Sequence, residues 1–255
     1  MNNVNYNNEC LSTDKILNAV VKIFKSKFKN SDTGSHLDIG SGAGTLVELI
    51  KKVSPKFSAN CIDYTDQLIN DKTIPLDVVD LNFDKIPHPD NSFDFVSCTE
   101  VVEHLENYRL VIREAYRVTK PNGLAVFTTP NILNLNSRLR YLIYGFQTLF
   151  GPLRVNRAEA FSTGGHITPV SYFYLAHSLL EAGFTEVRIS FDKKQSSAIP
   201  WLLITFPFIK LFGAITNKRE TKKNNVGSDN EAIVSQINTV DMLLGRTIIV
   251  SAYKN

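Results

Sequence analysis

Three glycines and three aspartates are the first residues in this chain with chemistry to offer. The glycines lie in Leu37-Asp38-Ile39-Gly40-Ser41-Gly42-Ala43-Gly44. A glycine-rich turn between a strand and a helix lets a ligand approach the backbone and meet the free N–H groups of the helix start. The spacing is not GxGxxG, because position 45 is Thr. Asp38 precedes the first glycine by two residues, and a carboxylate there repels a pyrophosphate. The same charge favours S-adenosylmethionine, which carries an ammonium and a sulfonium and no phosphate. Asp63 closes Cys61-Ile62-Asp63-Tyr64 at roughly the separation at which a carboxylate meets a ribose diol. Asp80, in Val78-Val79-Asp80-Leu81, is placed to accept from an adenine amino group while Leu81 supplies apolar contact. Ser41, Tyr64 and Thr99 complete the candidate donor-binding set. Singly, each is an ordinary turn glycine or strand-end residue; their order and spacing together carry the reading.

A second constellation is Glu100-Val101-Val102-Glu103-His104-Leu105. If this segment is helical, offsets of three and four put Glu100, Glu103 and His104 on one face. His166, in Gly164-Gly165-His166, could return to the same pocket. Two carboxylates and two imidazoles form a candidate divalent metal site, the oxygens suiting Mg²⁺ and the imidazoles Mn²⁺, Fe²⁺ or Zn²⁺. His104 and His166 are also candidates for direct acid-base work. A glutamate at a helix start is equally a dipole partner, and His104 can be purely structural. All of these readings stay open at this point.

Positioning these groups requires strands that end where the acids stand. Apolar runs at Ser35 to Ile39, Phe57 to Ile62, Leu76 to Val79, Phe93 to Cys98, Leu124 to Thr128, Phe184 to Phe191 and Thr247 to Tyr253 predict seven strands. Helical periodicity runs over Thr13 to Phe28, Thr45 to Val53, Tyr108 to Val118 and Val170 to Ala182, the last stopped by Gly183. Strands separated by helices indicate parallel crossover units in one domain spanning residues 1–255.

Two segments break the alternation. Residues 132–165 form an acceptor-side insertion with Arg138, Arg140, Tyr141 and Tyr144, basic and aromatic groups that could meet a phosphate or carboxylate. Residues 193–245 form a second insertion, in which the apolar run 199–215 contains Trp201, Phe206, Phe208 and Phe212. That run is too short to span a bilayer and is interrupted by Pro200, Pro207 and Lys210. It is expected to make peripheral membrane contact, cover a lipidic acceptor, or pack on the domain or a second copy. The polar stretch Asn217 to Asn230 is expected to be a mobile loop.

A formal net charge of +3 without a basic stripe counts against nucleic acid. Cys10, Cys61 and Cys98 are odd in number and have no CxxC spacing, which suggests neither a disulfide framework nor a thiolate zinc site and fits a reducing compartment. Met1 to Asn8 lack the order of a secretory signal, so a cytoplasmic protein is expected, peripheral to the inner face of a membrane if 199–215 touches lipid.

Over about residues 35 to 192 and the final strand, the sequence resembles the class I S-adenosylmethionine-dependent methyltransferases. The matching pieces are the Leu37 to Gly44 loop, Asp63, the run from Asp80-Leu81 through Asp90-Asn91-Ser92-Phe93-Asp94-Phe95-Val96, Glu100 to Leu105, and Arg117 to Leu124. The resemblance implies an α/β, Rossmann-like, seven-stranded and mostly parallel sheet with helices on both faces and an antiparallel last strand. It also implies donor binding at the carboxyl ends of the first strands, and methyl transfer. Glu-x-x-Glu-His with a later His is similar to the ubiquinone-pathway O-methyltransferases and the small-RNA 3′-end 2′-O-methyltransferases, which implies a metal at Glu100, Glu103, His104 and His166. Thr129-Pro130-Asn131 before the first insertion and His166-Ile167-Thr168-Pro169 after it resemble bacterial polysaccharide-associated methyltransferases, implying a sugar or lipid-linked glycan acceptor. The expected function is O-methylation of a small, glycan or lipid-linked acceptor; the alternatives are terminal-ribose methylation of small RNA and a non-catalytic donor-binding interaction protein. The oligomeric state is not legible.

Overall fold

A computed structural model describes residues 13–153, 165–224 and 230–255. Seven strands, β1 (Gly34–Ile39), β2 (Phe57–Asp63), β3 (Leu76–Val78), β4 (Phe93–Thr99), β5 (Thr119–Pro130), β6 (Thr185–Phe191) and β7 (Thr247–Tyr253), form one sheet in the order β3-β2-β1-β4-β5-β7-β6. Pairings from β3 through β5 are parallel, whereas β7 runs antiparallel to both β5 and β6. The order reverses between β1 and β4, and in open α/β sheets the crevice at such a switch point receives the ligand.

Helices α1 (Asp14–Lys27), α2 (Thr45–Val53), α3 (Tyr108–Val118), α4 (Leu135–Tyr144), α5 (Tyr172–Ala182), α6 (Ile199–Asn224), α7 (Glu231–Val234) and α8 (Val240–Leu244) complete the described elements. Among them α1 and α2 share a core with the sheet, made by Leu17, Val20 and Phe24 against Leu46, Ile50, Phe57 and Phe95. Phe24 meets Phe57 and Phe95 edge-on at 5.0 and 5.2 Å between ring centroids. The opposite core joins α3 and α5 through Ile112, Ala115, Leu175 and Leu179 to Val96, Phe127 and Val250. Gly183 ends α5 with a left-handed φ of 109°, as its sequence position implies, and a Cβ there would collide with Tyr116. Cys61 and Cys98 are buried free thiols. Cys10 and the Met1 to Asn8 segment lie outside the described residues.

The Asp90 to Leu124 motif residues are partly structural. Arg117 pairs with Glu114 at 2.7 Å and Asp90 at 2.9 Å while donating to the Ile86 and His88 carbonyls. It ties the approach to β4 to the end of α3. Lys120 binds Asp94 at 2.7 Å across β4 and β5.

Two expectations are corrected. Glu100 to His104 is not an α-helix: Glu100 has a left-handed φ of 56° and only Val102–His104 form a 3₁₀ turn. A left-handed residue cannot be part of a right-handed helical turn, so Glu100 and Glu103 do not share a helix face. The polar stretch from Asn217 is not a loop up to its middle, because α6 continues through Pro207 to Asn224; residues 225–229 lie outside the described set. Helical propensity in Thr-Asn-Lys-Arg-Glu-Thr-Lys-Lys continues a helix already nucleated upstream. Ser196–Lys223 is thereby long and apolar enough to cross a membrane by length and composition, contrary to the reading of 199–215 as too short.

Phe24 is buried at the junction of α1, β2 and β4. Phe24→Ala is expected to lower unfolding free energy by about 3–5 kcal/mol through cavity formation, measured by urea denaturation; a loss under about 1 kcal/mol shows that α1 is not part of the cooperative core.

Candidate functional site

At the carboxyl ends of β1, β2 and β4 the sheet opens into a cavity of about 330 Å³, within the range of small-ligand sites of about 300–1,000 Å³. Its walls include Gly40, Gly42, Asp63, Tyr64, Asp80 and Leu81 on one side and Glu100, His104 and His166 on the other. A smaller recess shares Gly40, Gly42 and Glu100 with it and adds Asp38, Ser41 and Thr99. The candidate donor residues are thus brought together around the turn after β1, apart from Gly44. That glycine caps α2 with a φ of 80° and packs on Ile69.

The glycine loop is open on the ligand side. A Cβ at Gly40 would sit 2.2 Å from Val101 Cγ2, so the loop must press on the segment after β4. At Gly42, φ 51°, no protein atom lies within 4 Å of the Cβ position. The Gly42 N–H donates to Asp63 Oδ2 at 2.8 Å, while Asp63 Oδ1 is buried without a partner. Burial raises the Asp63 pKa, and the backbone N–H bonds it accepts pull the other way. A buried acceptor beside an empty glycine cradle is the arrangement a ribose diol completes.

Asp38 is 3% exposed, and burial pushes its carboxyl pKa up to about 7. Asp63 adds like-charge repulsion, and a 2.7 Å hydrogen bond from Ser97 Oγ opposes both. Ser97 in turn lies 2.7 Å from His36 Nε2. His36 is fully buried, which holds its pKa down to about 3, and it packs on Phe95. A neutral imidazole with its proton on Nε2 donates to Ser97, whose single hydroxyl proton goes to Asp38. The chain His36, Ser97, Asp38 fixes the carboxylate without supplying a cation. The positive charge that Asp38 lacks has to come with the ligand.

On the acceptor side, two backbone bonds position His166. The Ile167 and Thr168 N–H groups both donate to the Glu103 carbonyl, at 2.9 and 3.0 Å. The Gly165 carbonyl accepts from His104 Nδ1 at 3.0 Å, which leaves Nε2 with its lone pair. The two imidazoles meet edge-on, 4.8 Å between centroids. Burial lowers the pKa of both, and for His166 the neighbouring His104 adds to this. Glu103 is fully buried, neither of its oxygens has a hydrogen-bond partner, and the nearby Thr129 hydroxyl falls short of bonding geometry. Burial, then the Glu100 charge, holds its pKa well above the carboxylate range.

Ligand atoms of Glu103, His104 and His166 lie within 4.8 Å of one another, a set able to hold a metal ion. Glu100 falls outside that set. Its carboxylate Oε1 accepts from Thr128 Oγ1 at 3.0 Å, and its own N–H is anchored by the Thr128 hydroxyl and carbonyl. Burial pushes its pKa up to about 7; Thr128 and the Arg246 charge favour the ionised form and Asp192 opposes it. The left-handed backbone at Glu100 stores strain where the two cavities meet.

Sequence reasoning missed Leu68, Asn82, Val101, Leu105, Leu149 and Arg246 in the wall. Asn82 directly follows Asp80-Leu81 and was open to inference by adjacency; its Oδ1 accepts from the Glu106 N–H at 2.8 Å. Arg246 precedes β7 at the far end of the second insertion, where no local motif marks it. Gly164 of the Gly-Gly-His run lies outside the described residues.

A family profile described as a methyltransferase domain matches residues 13–189. The chain belongs to this methyltransferase family. The ubiquinone/menaquinone biosynthesis C-methyltransferase of Desulfotalea psychrophila is 28% identical over 188 residues, covering 69% of this chain and 76% of its own. The demethylmenaquinone methyltransferase of Geobacillus kaustophilus is 28% identical over 169 residues, covering 60% and 71%. A crystal structure of an S-adenosylmethionine-dependent methyltransferase from Archaeoglobus fulgidus superposes with a TM-score of 0.57 at 18% identity, over 95% of each chain, and shows the same fold. The methyltransferase described here therefore uses S-adenosylmethionine, and the buried Asp38 and the partnerless Oδ1 of Asp63 beside the glycine loop fit that ligand.

The raised pKa of Asp38 is expected to make the donor affinity pH-dependent. Below about pH 7 its carboxyl carries a proton that a cationic ligand must expel, so the dissociation constant for S-adenosylmethionine is expected to rise by up to about tenfold per pH unit on acidification. Calorimetry between pH 5.5 and 7 in buffers of different ionisation enthalpy measures both affinity and proton release. Ser97→Ala is expected to weaken binding and move the transition to higher pH; a flat profile in the parent protein would contradict the assignment of Asp38.

Proposed function

We propose that this methyltransferase transfers a methyl group to a hydroxyl on a lipid-linked acceptor with a polar head, with Glu100 as the base. The observation that carries the reading is a second cavity of about 300 Å³ lined by Asn131, Asn134, Lys193, Ser196, Ser197 and Arg246. Leu149 and Arg246 belong to its wall and to that of the donor cavity, so the two adjoin beside Glu100. Lys193, Arg246 and the hydroxyl and amide side chains suit a sugar or an anionic head, and the relatives named for demethylmenaquinone support a lipid-borne acceptor.

Bound S-adenosylmethionine supplies an electrophilic methyl on a sulfonium that departs as a neutral thioether. The chain has to align an acceptor oxygen behind that carbon and take its proton. Among the described residues, Glu100 is the only acid that lines both the donor cavity and the recess holding Asp38, and it also carries a pKa near neutrality. Ionised, it takes the hydroxyl proton while the oxygen lone pair forms the new bond to carbon. His104 Nε2 has a lone pair on the same wall and accepts from a neighbouring O–H or N–H of the acceptor, which leaves the reacting hydroxyl's proton to Glu100.

Glu100→Gln is expected to lower kcat by about 10²–10⁴-fold at saturating donor while leaving donor affinity within a few-fold. In the parent protein kcat falls by about tenfold per pH unit below about pH 7, and Arg246→Ala moves that limb upward. Retention of the limb in Glu100→Gln assigns the base elsewhere. Carbon methylation, which the name of the Desulfotalea psychrophila relative favours, is separated from O-methylation by carbon NMR of product made with a labelled methyl.

A second reading, favoured by the two partnerless oxygens of Glu103, places a divalent ion among Glu103, His104 and His166. Two imidazoles and one carboxylate suit Zn²⁺ or Mn²⁺ better than Mg²⁺. Elemental analysis of the purified protein is expected to give about one equivalent, lost in Glu103→Ala; an ion-free, fully active enzyme rejects this reading.

A further inference from the structure

Helix α6 has one face on the domain and apolar residues on the others. Ala198, Leu202, Phe206 and Ile209 form the inward stripe, against Leu135, Leu139, Leu243 and Leu244. One turn further, Gly213 lies so close to Asn238 that a Cβ would sit 2.7 Å from Nδ2. Around the rest of the helix Trp201, Leu203, Ile204, Phe208, Leu211 and Phe212 are exposed, Leu203 by 75%. Helix α4, packed beside it through Leu139, exposes Leu142 by 81% and Ile143 by 84%. Soluble surfaces scatter single apolar residues; a contiguous field on two adjoining helices marks an interaction site.

We infer that the α4–α6 face seats the enzyme on an anionic lipid bilayer and faces the acceptor cavity toward that membrane. This rests on the proposed lipid-linked acceptor. Three observations choose lipid over a second copy of the chain. The apolar field passes into the basic sequence Lys218, Arg219, Lys222 and Lys223, countered only by Glu220, and cations beside an apolar helix match anionic headgroups. Trp201, an aromatic residue with an N–H, sits on the outward side near the start of α6. Finally, Ser196 and Ser197 of the acceptor cavity immediately precede α6, so the polar cavity and the apolar face are continuous. An isologous dimer through this face would bury the apolar residues and leave both basic ends without acidic partners.

Helix α6 lies in the interface rather than across the bilayer. Its inward stripe holds it to the domain along the Ala198 to Gly213 stretch. A spanning orientation would tear those contacts and draw Lys210 into hydrocarbon.

Trp201 is the only tryptophan in the chain, so its fluorescence reports on α6 alone. Full-length protein is titrated with phosphatidylglycerol-containing and pure phosphatidylcholine vesicles, without donor or acceptor, which separates this test from the test of the acceptor. The expected result is a blue shift and shallow bromolipid quenching with the anionic vesicles, with binding at least about tenfold tighter than to neutral ones and weakened by salt. The double variant Phe208→Asp, Phe212→Asp changes only exposed side chains and is expected to lose vesicle binding while keeping its S-adenosylmethionine affinity. Equal partitioning into both vesicles overturns the anionic assignment. An unshifted Trp201 with lipid, or a shift that follows protein concentration and dimer sedimentation instead, overturns membrane seating.

Discussion

A carboxylate placed in the interior without a cation is the constraint around which this molecule is arranged. Asp38 lies near the end of β1 inside the sheet, and among the described residues its hydrogen-bond partner is a serine hydroxyl that a neutral histidine holds in place. An isolated charge in such surroundings either takes up a proton or waits for a positively charged ligand. The left-handed turns at Gly40 and Gly42, the contact of the loop with Val101 and the N–H given to Asp63 all serve to keep that site open beside a fixed charge. A buried carboxylate at a strand end suits a cationic ligand on electrostatic grounds.

The acceptor side uses a different device. Rather than one helix presenting a row of acids, a strained residue and a 3₁₀ turn aim Glu100 and Glu103 in separate directions. The returning segment is fastened to that turn by backbone bonds at the Glu103 carbonyl, which brings His166 onto His104. Three side chains then form one compact group, while Glu100 stands apart at the junction with the donor recess. The two acids differ in their environments: Thr128 and Arg246 moderate the effect of burial on Glu100, whereas burial and the Glu100 charge dominate at Glu103.

Both insertions meet at one edge of the molecule. The first supplies α4 and the loop with Leu149 and leads into the His166 segment; the second supplies Lys193, Ser196 and α6 and leads into Arg246. Glu100, a polar cavity and an apolar surface thus follow one another from the sheet outward. Helix α6 cannot be explained by the core it covers, since only one stripe of it touches the domain.

By itself the sequence determined the sheet, because strand runs, helix periods and the terminal glycine of α5 are local and agree with one another. It also placed Asp38, the glycine loop, Asp63 and Asp80 near one another, since all of them lie at or just after strand ends on the same edge of a parallel sheet. Tertiary structure alone decided the rest. Whether three acids share a face depends on the turn geometry after β4, which period counting over five residues does not resolve. Arg246 reaches Glu100 from a distant strand, an encounter no spacing encodes. The helical state of the basic stretch after residue 216, and with it the length of the exposed apolar helix, depended on nucleation upstream and on packing against α4, neither of which is written in the polar residues themselves.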